Sequence, residues 1–196
     1  MSMRLPQYLF DKIVEHHRRW LLEPATGTRA DFTGLTLQGM KAAHYNLPGA
    51  IFNGVKLFSC DFTGANLSDI LADGLCCYDV DFTGATFKNA HLSRTAYTET
   101  IFSNTDLWNV YGDGVYIISL QIGGKNVVYT SETLQINCLP FNLKDLWWMS
   151  DDDISVYLEE YHADEMTEMM AWWAKWRSQI YHIVTTYPAK PINIPK

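Results

Sequence analysis

The string Asp31-Phe32-Thr33-Gly34 recurs at residues 61–64 and 81–84. The copies are separated by 30 and 20 residues, and both separations are multiples of five. When each phenylalanine is taken as the centre of a five-residue unit, the centres continue along the chain without a shift in phase. The sixteen centres are all apolar or aromatic: Phe32, Leu37, Ala42, Leu47, Phe52, Leu57, Phe62, Leu67, Ala72, Cys77, Phe82, Phe87, Leu92, Tyr97, Phe102 and Leu107.

The residue two positions before each centre forms a second column with the same period. This column is apolar up to Ala90 and is threonine at 95, 100 and 105. Neither an α-helix nor a flat strand keeps two of every five residues facing inward over such a length. A solenoid does so if four units form one turn and successive turns stack through backbone hydrogen bonds. Glycine follows many of the units, as expected for tight corners.

Several units share one pattern of residue types. They include Ala30-Asp31-Phe32-Thr33-Gly34, Cys60-Asp61-Phe62-Thr63-Gly64 and Ala65-Asn66-Leu67-Ser68-Asp69. In these units the chain resembles the pentapeptide repeat family over residues 30–109. The resemblance implies a mainly β fold, a right-handed quadrilateral β-helix of about four coils. At ~4.8 Å per coil the rod would be roughly 19 Å long.

The segments on either side of the repeats differ from them in pattern. Residues 1–29 are predicted to form an N-terminal capping helix, because Leu5, Leu9 and Ile13 follow helical spacing and Pro24 ends the pattern. A solenoid needs such cover, since its ends expose core side chains and unpaired backbone. Beyond residue 109 the five-residue period fails.

Residues 110–196 are predicted to form a C-terminal α/β module. Strand-like residues from 115 to 130 surround a Gly-Gly-Lys-Asn turn and indicate a hairpin, and residues 133–139 suggest a third strand. Two helices are expected, from Ser150 to about Tyr161 and over residues 163–185. The runs 146–148 and 172–176 are rich in tryptophan and resemble tails of pentapeptide repeat proteins of phages and prophages. Most of these tryptophans are expected in the core, but Trp147, Trp148 and Trp172 are candidates for an aromatic binding surface.

Residues twenty apart lie above one another in this arrangement, so the outer surface can be resolved into columns. One column places Ile51 and Leu71 together, and another places Phe58 and Tyr78 together. Exposed apolar stripes of this kind usually mark a contact surface. The alternatives are cover by the N-terminal helix or the C-terminal module, a homodimer, or a foreign protein partner.

A third column brings Asp61 and Asp81 within about one strand spacing. It is either ordinary solvated surface or part of an anionic face that imitates DNA, as some members of the resembled family do. The whole chain has 15 Lys+Arg and 22 Asp+Glu, a net charge of −7. Direct binding of nucleic acid is therefore not expected, because neutralising phosphates requires a basic face.

No catalytic, cofactor or metal motif is complete in the sequence. Glu159 and His162 have the Glu-x-x-His spacing of di-iron bundles but lack the second copy. The 123–126 turn lacks the frame of a phosphate-binding loop. The four cysteines suggest neither a zinc site nor a disulfide framework. His16-His17-Arg18-Arg19 is expected as a solvated basic edge, and no membrane span or signal peptide is expected, so we predict a soluble cytoplasmic protein.

These observations favour a non-enzymatic protein-binding module. By the phage-type resemblance, its partner would be a bacterial DNA-processing or defence enzyme. The first alternative is a structural component that self-assembles, for example as a homodimer. The second is a DNA mimic that inhibits gyrase, which the resemblance to relatives conferring quinolone resistance implies. A small-molecule or enzymatic role of the C-terminal module is a third.

Overall fold

A computed structural model describes residues 5–102, 104–137, 139–162 and 166–191. Its first half is a parallel solenoid, and its second half is an antiparallel sheet with helices. None of the helices within these ranges is long and apolar enough to span a membrane.

One face of the solenoid is a four-stranded parallel sheet in the order β1-β2-β3-β4. Its strands are β1 (Thr36–Gln38), β2 (Lys56–Asp61), β3 (Cys76–Asp81) and β4 (Ala96–Thr98). Partners across the ladder are twenty residues apart, as in Lys56 with Cys76. Single-residue bridges outside these strands keep the same separation on the other faces. The predicted β-helix with stacked five-residue units is therefore confirmed.

The corners of the solenoid share one backbone conformation. Every fifth residue from 34 to 109 has a positive φ, whether or not it is glycine. Seven of these corners are glycine and nine are other residues, namely His44, Ser59, Asp69, Asp79, Asn89, Arg94, Glu99, Asn104 and Asn109. The left-handed region costs an L-residue roughly 1–2 kcal/mol. The stacked coils therefore impose the corner even where the side chain disfavours it.

The Asp-Phe-Thr-Gly string stabilises the turn that precedes a corner. The Oδ1 atom of Asp61 accepts hydrogen bonds from the backbone N–H of Thr63 at 2.9 Å and from its hydroxyl at 2.8 Å. Asp31 and Asp81 accept the backbone N–H two residues later in the same way, at 2.9 and 2.8 Å. This local bond explains why aspartate and threonine recur on either side of the buried phenylalanine.

The interior is filled by the predicted centre residues, stacked coil upon coil. Phe32 and Phe52 have ring centroids 4.9 Å apart, and Phe62 and Phe82 have centroids 5.6 Å apart. Fifteen of the sixteen centres are buried, and Phe102 is partly buried. The predicted core of the solenoid is confirmed.

The helix α1 (Gln7–Leu22) packs on the first coil. Phe10 is fully buried and stacks on Phe32 with centroids 5.0 Å apart. The Gln7 amide exchanges two hydrogen bonds with the backbone of Lys41, accepting at 2.9 Å and donating at 3.2 Å. A side chain thus occupies the hydrogen-bonding position of a preceding coil.

His17 is fully buried beneath α1. Its Nδ1 accepts the backbone N–H of Ala30 at 3.1 Å, and its Nε2 lies 3.1 Å from the carbonyl oxygen of Pro48. These contacts require the neutral tautomer with the proton on Nε2. The expectation that His17 belongs to a solvated basic edge is therefore wrong. It lies seven residues after Phe10, on the face of α1 that packs on the solenoid.

The second half contains a four-stranded antiparallel sheet, β5 (Ile118–Ile122), β6 (Lys125–Tyr129), β7 (Thr133–Ile136) and β8 (Leu139–Asn142). The helices are α2 (Leu143–Leu146), α3 (Asp151–His162) and α4 (Met166–Thr186). The hairpin and the two long helices agree with the sequence prediction. Reciprocal hydrogen bonds between Ser150 and Asp153 form the expected capping box of α3.

Two details of the sheet differ from the prediction. The first strand begins at Ile118 and not at Val115, because the Asp113 carboxylate accepts three backbone N–H groups from residues 115–117 and holds them in a turn. The predicted strand over residues 133–139 ends at Ile136, where Asn137 turns the chain with a φ of 51°. The additional strand β8 contains a proline, which its edge position tolerates.

The sheet contacts the last coil through buried polar side chains. The Gln135 side chain is 5% exposed; its Oε1 accepts the backbone N–H of Leu107 at 2.8 Å, and its Nε2 donates to Asp106 at 3.0 Å. Thr95 donates to the Asp113 carboxylate at 2.8 Å. The C-terminal elements therefore pack on the end of the rod.

We expect Gly84→Ala to lower the free energy of unfolding by about 1 kcal/mol. A Cβ at Gly84 would meet no atom within 4 Å, so only the φ of 66° is unfavourable for alanine. Ser59→Gly is the converse control, since Ser59 is an exposed corner with a φ of 49°, and it should gain about 0.5–1 kcal/mol. Urea denaturation measures both, and stabilisation by Gly84→Ala would contradict the corner argument.

We also expect the free energy of unfolding to depend on pH through His17. Burial, together with the nearby Arg29 cation, lowers the pKa of His17 below its ordinary value of 6.5. The stabilisation that neutral His17 gives to the folded state is therefore fully present above pH 6.5. It is lost as the pH falls through the lower pKa that His17 has in the folded state. Between about pH 7.5 and about pH 5, above the range where carboxylates titrate, the wild type should lose more unfolding free energy than His17→Gln. Parallel losses in the two proteins would contradict the assignment.

Candidate protein-interaction surface

One face of the solenoid carries a continuous column of large side chains. Backbone bridges join Ile51 to Leu71, Leu71 to His91 and His91 to Tyr111. The His91 and Tyr111 rings stack with centroids 4.6 Å apart. Ile51 and Leu71 are partly exposed, His91 is exposed and Tyr111 is 58% exposed. We call these four residues the apolar ladder.

The predicted pairing of Ile51 with Leu71 is therefore confirmed, and each of the four ladder residues keeps some exposed surface. Tyr111 was not predicted, because the repeats were taken to end at residue 109. The missed signal is its position twenty residues after His91. Beside the ladder, the Arg94 guanidinium pairs with both oxygens of Asp73, so the charges next to it are neutralised locally.

A second aromatic pair lies on the β2 and β3 face. The rings of Phe58 and Tyr78 have centroids 6.3 Å apart and are 36% and 45% exposed. The Tyr78 hydroxyl donates to Glu99 at 3.3 Å, and the Glu99 carboxylate raises the pKa of Tyr78. The structure thus brings this predicted pair together at the surface.

The acidic column contains two adjacent carboxylates, those of Asp61 and Asp81. Asp61 and Asp81 are adjacent, as predicted, between Lys41 and Ile101. One oxygen of each carboxylate already accepts hydrogen bonds from the turn that follows it. A role of Asp61 and Asp81 in partner binding stays a prediction.

Of the three candidate tryptophans, Trp172 is not a surface residue. It is 7% exposed, and its Nε1 donates to the carbonyl oxygens of Ile122 and Gly123, each at 3.1 Å. A Cβ at Gly123 would lie 2.7 Å from this nitrogen, so the glycine turn allows the close approach. Trp172 is therefore a core residue, and the expectation that it contributes to an exposed binding surface is corrected.

The other two tryptophans follow α2 and differ in exposure. Trp147 is partly buried, with ring centroids 6.5 Å from Trp173 and 5.1 Å from Tyr181. Trp148 is 88% exposed. Of the three candidates, Trp148 is the one that the fold leaves free for a partner.

We expect Trp172→Ala to destabilise the protein by roughly 3–5 kcal/mol, since it removes a buried indole and two hydrogen-bonding contacts. Trp148→Ala is the matched control and should change the unfolding free energy by less than about 0.5 kcal/mol. Guanidinium denaturation followed by circular dichroism distinguishes them. Equal losses would contradict the assigned burial.

Among the described residues, the side chains considered for a metal site are not grouped in a way that would form one. They contain no group of three or more His, Cys, Asp or Glu side chains able to hold a metal ion. Cys76 is exposed, whereas Cys77 is buried, and burial raises the pKa of the Cys77 thiol well above its ordinary value. Cys138 and the side chains of Glu159 and His162, which the sequence analysis considered, lie outside the described part of the structure.

Solved structures with a similar chain include pentapeptide repeat proteins. One, from the thylakoid lumen of Arabidopsis thaliana, is 28% identical; the match covers 42% of this chain and 61% of that one, with a TM-score of 0.27. Rfr23 of the cyanobacterium Cyanothece 51142 is 22% identical, with 42% and 60% covered and a TM-score of 0.28. QnrB1, a plasmid-mediated fluoroquinolone resistance protein, is 14% identical, with 43% and 55% covered and a TM-score of 0.31.

This chain thus spans less than two thirds of each of these proteins. No curated protein matches it. A family model described as pentapeptide repeats matches in eight copies, over residues 43–70 and 76–110. The described residues of these two ranges lie within the stacked coils, and this part of the chain is therefore a pentapeptide repeat segment.

Proposed function

We propose that the chain is a non-enzymatic protein-binding module whose solenoid presents the apolar ladder to a protein partner. The observation that carries this proposal is the line of Ile51, Leu71, His91 and Tyr111, all at least partly exposed on one face. Contiguous apolar surface is costly to leave in water and is typical of contact sites.

The solenoid suits such a role because it holds the ladder in place. Each rung is tied to the next coil by backbone hydrogen bonds, such as Leu71 N–H to the Ala50 carbonyl at 3.1 Å and His91 N–H to the Ile70 carbonyl at 2.9 Å. A partner that binds there orders few additional groups, and the entropy cost of association is reduced.

The proposal that the module has no catalytic activity rests on how its titratable groups are used. The nitrogens of His17 contact backbone groups at the first coil, and the Asp113 carboxylate holds a turn at the last one. The carboxylates of Asp31, Asp61 and Asp81 accept bonds from their own turns. These side chains stabilise the fold through hydrogen bonds to the backbone.

The alternatives differ in the surface they require. A DNA mimic that inhibits gyrase would depend on the Asp61–Asp81 column, which contains two carboxylates that are partly engaged by their own turns. A self-assembling component would pair the ladder with a second copy of the chain. The identity of the partner as a bacterial DNA-processing or defence enzyme, and a cytoplasmic location, stay predictions.

The test compares wild type with Ile51→Asp combined with Leu71→Asp. Charges in the centre of a contact surface should weaken partner capture from the native cell lysate about a hundredfold or more, in the range of a hot-spot loss. Quantitative mass spectrometry of the captured proteins measures this. Light scattering of the purified chain separates the self-assembly alternative, since a dimer would dissociate in the double variant.

Asn46→Asp combined with Asn104→Asp is the matched control. Both asparagines are exposed on other faces of the solenoid, and the change adds the same two negative charges. The control should capture partners as wild type does. If it loses them equally, or if the ladder variant captures the same proteins in the same amounts, the ladder is not the binding surface.

A further inference from the structure

An open groove runs between α1 and the first coil of the solenoid. Its volume is about 430 Å³, within the range of small-molecule sites. Its lining residues come from α1 and the segments before and after it, and from the first repeat unit: Leu5, Leu9, Lys12, Ile13, His16, Thr28, Arg29 and Asp31.

The floor of the groove is aliphatic. Leu9 and Ile13 are spaced by four residues and therefore lie on one side of α1, and Leu5, which precedes the helix, lines the same groove. All three are only partly buried, so an apolar ligand lying on them would remove further hydrocarbon surface from water.

The rim carries more positive than negative charge. Neither Lys12 nor Arg29 forms an ion pair with a carboxylate among the residues that the structure describes. Arg29 is held in place, because its Nε donates to the Gly49 carbonyl and its guanidinium lies 5.9 Å from the Trp20 ring. Asp31 contributes the one carboxylate of the lining. Lys12 and Arg29 against Asp31 give the rim a net formal charge of +1.

We propose that this groove binds a small amphiphilic monoanion, of the class of medium-chain aliphatic carboxylates. The hydrocarbon part lies on Leu5, Leu9 and Ile13, and the carboxylate meets Lys12 and Arg29 at the rim. The net charge of the rim matches one negative charge, and the aliphatic floor excludes a compact inorganic anion as the preferred ligand. The groove reaches Asp31, which is bridged to Ile51 of the apolar ladder, but the proposal does not depend on the function proposed for the ladder.

The test is isothermal titration of the purified full chain with sodium decanoate and, separately, with 1-decanol. The two probes have the same chain length and differ in charge. Decanoate should bind saturably with a dissociation constant below about 1 mM, and decanol at least about fivefold more weakly. Absence of saturable decanoate binding, or equal affinity for both probes, would overturn the proposal.

Three variants locate the binding. Lys12→Glu should weaken decanoate about tenfold and leave decanol unchanged, and Leu9→Asn should weaken both probes. Lys144→Glu, an exposed lysine in α2, makes the same charge change far along the chain and should bind both probes like wild type. If Lys12→Glu and Leu9→Asn also bind like wild type, the probe binds elsewhere. Circular dichroism of each variant confirms that it is folded.

Discussion

The left-handed corner that recurs every five residues is the constraint on which the rest of the structure depends. It redirects the chain at regular intervals, so that residues twenty apart come into register and share backbone hydrogen bonds. In the solenoid, the register then determines whether a side chain stacks in the interior or on the outer surface. Centres stack inside as Phe32 does on Phe52, and the residues before them stack outside as Ile51 does with Leu71. A functional surface on this protein is therefore a column, and its rungs are set by the spacing of the coils.

At each end of the rod, a glutamine side chain forms hydrogen bonds with the backbone of the terminal coil. At the first coil the amide of Gln7 bonds to the backbone of Lys41, and at the last coil the amide of Gln135 accepts the N–H of Leu107. A primary amide has one acceptor and a pair of donors, so it can stand in for the peptide group of a missing coil. Because both ends of the solenoid are in contact with other parts of the chain, a ligand of the solenoid would meet its lateral faces or the α1 groove.

The repeat could be predicted from sequence because one period governs both burial and hydrogen bonding. Sequence reasoning fails where the burial of a side chain depends on packing against residues distant in the chain. His17 was expected in water, but its position relative to Phe10 places it under the helix, where Ala30 and Pro48 satisfy its ring. Trp172 was a candidate for a binding surface, but its indole is buried and donates to the carbonyl oxygens of Ile122 and Gly123. Tyr111 was missed for a different reason. The repeat motif was taken to end at residue 109, but the bridge between residues twenty apart continues from His91 to Tyr111.

We propose the apolar ladder as the surface by which this protein meets its partner. The most direct measurement is site-specific photo-crosslinking in the native cell, with a photoreactive phenylalanine analogue at position 71 or, on another face of the solenoid, at position 104. We expect a discrete crosslinked species from position 71 and none from position 104. Equal crosslinking at both positions, or crosslinking at position 104 alone, would contradict it.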